Sequence, residues 1–138
     1  MRVVVVSSGQ AEILARIIGD RIARRDLARR GENVVRTARS NLNRNPRRIN
    51  TGKLASDIKA RPTVVGINPA IDIGTSLYYA RWVHDGTGIY GPRGGYIYPR
   101  RARMLSWVDK GGSRRFAKRV RGMEPNHFLR DALQAGRH

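Results

Sequence analysis

Cysteine is absent from all 138 residues, which excludes disulfides and thiolate metal sites. No apolar run approaches the roughly 20 residues needed to cross a bilayer. The run Val3 to Val6 is too short for a signal-peptide core, and polar Ser7, Ser8 and Gly9 follow it. Acidic residues are scarce, and the 10 Asp plus Glu stand singly, mostly beside basic residues. A nuclease using two metals would want them clustered. Histidine occurs at 84, 127 and 138, without an H-x-x-x-H spacing, and no serine sits in a nucleophile motif. These absences argue for a protein that is not an enzyme, with no cofactor, no metal site and no membrane span. It is expected to be soluble and made in a reducing cytoplasm.

What the chain has in excess is arginine and lysine, 28 in all, for a formal charge of +18. The excess lies at the two ends, net +8 in residues 1–50 and +8 in 99–138, against +2 in 51–98. A surface of this charge attracts polyanions through counterion release, with strong salt dependence. The plainer reading is arginine-rich coding and a well-solvated surface. Apolar residues make up 40% of the chain, enough for one folded domain over residues 1–138.

Residues 3–6 predict a short strand or an arm pairing with a neighbour, with 1–9 as the N-terminal arm. Ser7 and Gln10 have capping-box spacing. Helical periodicity then runs to about residue 44, with Ile13, Leu14, Ile17, Ile18, Ile22, Leu27, Val34, Val35, Ala38 and Leu42 on the apolar face. Gly31 predicts a break, and Asn45-Pro46 ends the helix. Arg21, Arg25 and Arg29 form a stripe four residues apart; such a stripe is more often a solvated face than a DNA-reading one.

Strand-like pieces follow at 54–60, 63–67 and 71–75, punctuated by Pro62, Asn68-Pro69 and Gly74. Residues 77–84 predict a short helix with Tyr78 and Trp82 on one side, stopped by Gly86. Strands are expected at 96–99, 104–109 and 114–120, and a last helix at 126–135. Trp82, Trp107, Phe116 and Phe128 are expected core or interface anchors, Trp82 and Phe128 buried ones. Gly86 to Gly91 matches G-x-G-x-x-G, but a helix precedes it and Pro92, Gly94 and Gly95 deny one after it, so a flexible loop is expected instead of a phosphate site. Within residues 86–98, Tyr90, Arg93, Tyr96 and Tyr98 are the candidate contacts to a neighbouring subunit. Arg100, Arg101, Arg103, Arg114 and Arg115, with the helix stripe, are the candidate contacts to DNA or an acidic partner.

Three separated stretches resemble one family. Thr51-Gly52-Lys53-Leu54-Ala55-Ser56-Asp57-Ile58 is similar to its T-G-x-L-x-x-S-I signature, and Tyr79 to Thr87 (YARWVHDGT) to its Y-A-x-x-V-E-x-G-T segment. Gly122, Pro125, Phe128-Leu129 and Ala132-Leu133 resemble its closing G-x-x-P-x-x-F-L-x-x-A-L. Ile97-Tyr98-Pro99 and Met104-Leu105-Ser106-Trp107 resemble connecting pieces of many members. The family is that of siphophage head–tail connector or tail-completion proteins, minor capsid or tail components. His84-Asp85 departs from it, the acid being shifted by one position. The resemblance implies an α+β fold, with a long N-terminal helix packed on a mainly antiparallel sheet, a short central helix and a C-terminal helix. It also implies a virion ring, sixfold by expectation, that joins capsid to tail and lets genomic DNA pass, touches adjacent neck or tail proteins and is assembled in the host cytoplasm. A stand-alone basic nucleic-acid-binding protein without base specificity is the alternative that the charge leaves open.

Overall fold

A computed structural model describes residues 1–6, 15–44 and 52–136. The fold is α+β, as expected. In chain order the elements are β1 (Arg2–Val6), α1 (Ala15–Asn43), α2 (Lys53–Asp57), β2 (Lys59–Val65), β3 (Asn68–Gly74), α3 (Ala80–Asp85), β4 (Leu105–Val108), β5 (Arg114–Ala117) and α4 (Phe128–Ala135). The chain divides into two compact units, Met1–Tyr78 with Phe128–His138, and Tyr79–His127.

The first unit is an antiparallel sheet of order β1-β3-β2, packed against α1. β3 takes the centre because it has the apolar side chains to be covered: Ile71 and Ile73, two apart and hence on one face, are both buried. β2 holds Pro62, which has no N–H to donate and is tolerated because this strand is an edge. From α1, Leu27, Val34, Val35, Ala38 and Leu42 form the buried stripe that the sequence periodicity marks. α4 lays Phe128, Leu129 and Ala132 into the same core, and Asn41 Nδ2 donates to the Phe128 carbonyl at 3.3 Å. Each large apolar side chain so buried contributes about 1.5–3 kcal/mol.

Two expectations need correction here, and a third is decided between its alternatives. α1 is unbroken at Gly31, because that glycine is buried and its missing Cβ is the space Ile71 occupies. Leu54 to Ala60 is not one strand: Gly52, at φ 70°, starts the one-turn helix α2, and β2 begins only at Lys59. Residues 2–6 pair with β3 of their own chain, Arg2 opposite Gly74 and Val6 opposite Ala70, so the strand reading holds over the arm. The Ser7–Gln10 cap, the apolar positions before residue 15, and Asn45-Pro46 lie outside the described residues.

In the second unit, Gly86 ends α3 as expected, at φ 79°, with the Met123 carbonyl oxygen 2.9 Å from where a Cβ would stand. β4 and β5 form an antiparallel hairpin, and of the strand expected at 96–99 there is a single bridge, Ile97 to Val120. Among residues 79–127 the side chains counted as buried are Ala80 and His84, so this unit has scarcely any apolar core. Phe128 is fully buried as expected, but Trp82 is 53% exposed, because α3 turns its Ala80 and His84 side inward and leaves Trp82 outward.

Candidate interaction surface

The hairpin of the second unit is built from its turn outward. Asp109 Oδ1 accepts from the Gly111 and Ser113 backbone N–H groups at 3.0 and 2.9 Å, while Oδ2 holds Arg115 Nε at 2.8 Å. Those contacts, the Arg115 bond foremost, keep the Asp109 carboxyl below its ordinary range. Gly112, at φ 81°, supplies the left-handed residue that the reversal needs. The turn is therefore fixed by local chemistry, and the strands leave it in the register Val108 opposite Arg114, Trp107 opposite Arg115 and Ser106 opposite Phe116.

Cross-strand partners share a face, so Trp107 and Arg115 stand on one side, and Val108, Arg114 and Phe116 on the other. All five are exposed, Val108 by 59% and Phe116 by 58%. Met104 and Tyr98 extend the apolar surface at the hairpin's base, and Arg100, Arg101 and Arg103 line the approach to β4, all exposed. A two-stranded ribbon is marginal by itself in water. One with apolar and cationic side chains on both faces has the composition of an interface.

At the base of the ribbon, Ile97 and Val120 exchange backbone hydrogen bonds of 2.9 and 3.0 Å. The Arg119 guanidinium lies 4.3 Å over the Tyr96 ring, and its hydrogen bond with Tyr98 raises its pKa further. Two of the four loop candidates, Tyr96 and Tyr98, are thereby gathered on Arg119. Tyr90 sits in a short 3-10 turn over Gly88–Tyr90 and is part exposed, and Arg93 is exposed. Residues 86–91 are not the flexible loop expected. Thr87 N–H donates to the Met123 carbonyl and Ile89 N–H to the Arg121 carbonyl, both at 2.8 Å, and Met123 N–H donates back to Thr87 Oγ1 at 2.9 Å. Gly88 and Gly122 allow this approach, each lying against backbone where a Cβ would collide. Gly88 and Gly122 thus serve a close backbone-to-backbone approach within this unit.

The helix stripe belongs to the first unit, where Arg21, Arg25 and Arg29 are exposed on α1. Arg29 is engaged with Asp26 at 3.0 Å, which also holds Arg30 at 2.7 Å. Two groupings went unmarked in the sequence. On the sheet's outer face Arg2, Lys59 and Arg61 line a groove of about 270 Å³ with Asp57 and Asp72, and Arg2 is ion-paired to Asp72. The alternation of Lys59 and Arg61 along a strand was the available signal. Asp57 accepts from Thr75 Oγ1 at 2.6 Å and from Ser76 N–H at 2.8 Å, and these bonds bring its carboxyl down to about 2.

The second grouping corrects the expectation of dispersed histidines. His84 and His127 stand with ring centroids 5.0 Å apart at 69°, and His84 Nδ1 lies 2.7 Å from Asp85 Oδ1. The His84 contact, with Arg81 alongside, holds the Asp85 carboxyl below its ordinary range. Asn126 N–H donates to the Val83 carbonyl at 2.9 Å, which docks the segment carrying His127 onto α3. Forty-odd residues of intervening hairpin hide this meeting from any sequence spacing.

Compared with known proteins, residues 9–86 match the model of a family described as "Bacteriophage HK97-gp10, putative tail-component". No curated protein and no solved structure matches the chain.

Proposed function

This chain belongs to the HK97-gp10-like family of bacteriophage tail components, and on that footing we propose that it forms a closed ring at the head–tail junction or upper tail. As a tail component it is a structural part of the virion and works against other virion proteins. The ring, its sixfold count, its assembly in the host cytoplasm and the passage of DNA through it are our reading. So is the absence of catalysis, the chain acting throughout as one subunit of an assembly.

The observation that carries the reading is the hairpin, with Trp107 on one face and Val108 and Phe116 on the other, all exposed. A subunit that repeats around an axis makes a head-to-tail contact with each neighbour, and an arm that needs covering on both faces suits that geometry. Tyr90, Arg93, Tyr96 and Tyr98 stand in the segment leading into the arm and are assigned to the same contact. In a channel, cations must be free of base reading, since every sequence slides past. Arg100, Arg101, Arg103, Arg114 and Arg115 on the ribbon, and Arg21, Arg25 and Arg29 on α1, are assigned to DNA or to an acidic neighbouring ring.

The charge of +18 favours one other reading, a free-standing nucleic-acid binder. Native mass spectrometry of the purified chain, with and without duplex DNA, separates the two. A ring-sized oligomer that falls to monomer in a Trp107→Ser/Phe116→Ser variant supports the assembly reading. A monomer that binds DNA with steep salt dependence supports the other.

A further inference from the structure

We propose that His84, Asp85 and His127 bind one divalent transition-metal ion of the zinc class, which clasps α3 to the segment before α4. One donor atom from each of the three residues falls within 4.8 Å of the others. Ligands sharing a zinc ion with bonds of about 2.1 Å stand roughly 3–3.5 Å apart, so small side-chain rotations close the set. The His84 side chain is 11% exposed and that of Asp85 35%, which leaves one open side for a water as fourth ligand. Nδ1 of His127 is buried and makes no hydrogen bond within the chain, a costly state for a polar atom that a metal bond relieves. Two imidazoles with one carboxylate suit zinc, cobalt or nickel, and not magnesium or calcium, which prefer all-oxygen shells.

The second unit gives such an ion structural work. It spans residues 79–127, its buried side chains are Ala80 and His84, and the chain has no cysteine to cross-link it. Units of this size without an apolar core are commonly held by disulfides or metal. The clasp would lie where Asn126 already meets Val83, and would fix the frame from which the hairpin projects.

The test uses the full chain purified without a polyhistidine tag, stripped with chelator, and titrated with Co²⁺ and then Zn²⁺. Visible cobalt absorption should saturate at one ion per chain and vanish when zinc displaces it, with Mg²⁺ giving no competition. Zinc should raise the melting temperature, and the imidazole nitrogen resonances of His84 and His127, not those of His138, should shift. His127→Phe keeps the ring's volume and should abolish one-to-one binding; Asp85→Asn, which removes the anionic ligand, should weaken it by more than the roughly 10-fold that losing even an outer-shell partner costs. Absence of saturable binding by the parent chain overturns the proposal. Shifts confined to His138, or full binding by His127→Phe, overturn it as well, because the ion would then sit elsewhere. The nuclear resonance readout needs no variant, so the outcome stands even where a substitution costs the fold.

Discussion

Ile71 of β3 projects its Cδ1 into the place where a Cβ on Gly31 of α1 would stand, with the Ala60 Cβ 3.3 Å from the same point. The glycine is there to let helix and sheet approach, and this gives the opposite prediction from a helix-weakening role. If Gly31 merely loosened the helix, Gly31→Ala would stabilise the protein by about 1 kcal/mol. Because the added methyl meets packed side chains, the substitution should instead destabilise by roughly 1–3 kcal/mol. Urea unfolding of the two proteins decides the sign.

The two aromatics expected to be buried should now part company. Phe128 is fully buried against α1, and Phe128→Ala should cost about 3–5 kcal/mol. Trp82 is 53% exposed, and Trp82→Ala should cost much less in the isolated chain. Thermal melts of both variants check this; equal losses would mean that Trp82 belongs to the core after all.

Asp57 makes a prediction in pH. Its folded carboxyl is lowered from 3.8 to about 2 by Thr75 and Ser76, so the unfolded chain takes up its proton first as acid is added. The stabilisation is therefore fully present above pH 4 and is lost as pH falls from there through about 2. Asp57→Asn should flatten that part of the stability profile, read as the urea midpoint at pH 5, 3 and 2. A variant profile parallel to the parent's would remove Asp57 from the account.

Much of the first unit was legible beforehand, and the reasons are specific. Leu27, Val34, Val35, Ala38 and Leu42 announce a helix face because a 29-residue helix repeats its signal many times. Lys53–Asp57 is one turn, too short for a period to show, and its residue pattern alone reads as strand. Ile22 belongs to the apolar stripe yet is 64% exposed, since periodicity tells which side a residue lies on and not how far the partner layer reaches. The interaction surface was half legible. Its arginines and tyrosines can be named from composition, but for Trp107 and Phe116 an aromatic in a short strand pattern fits core and interface alike. The meeting of His84 with His127 depends on a long-range contact, Asn126 to Val83, that no local pattern encodes.

The arginines carry a prediction of their own. Arg100, Arg101, Arg103 and Arg114 are exposed on or beside the ribbon, while Arg115 is bound to Asp109. Reversing the first four to Glu should leave the melting temperature of the isolated chain nearly unchanged, since exposed charges contribute little to stability. It should impair particle assembly or DNA delivery, more severely at low salt where screening is weak. Reversal of Arg21 and Arg25 tests the helix stripe in the same way. Normal infectivity from both sets would assign the charge to bulk solvent.

In the proposed ring each subunit covers its neighbour's hairpin. Electron cryo-microscopy of the intact particle, with this chain located in the density, tests it most directly. A closed ring on the tail axis is expected, with the ribbon from residue 97 to 120 of each subunit lying against the next and Trp107 and Phe116 buried between them. A chain found off the axis, or a ring whose ribbons project into solvent, would contradict it.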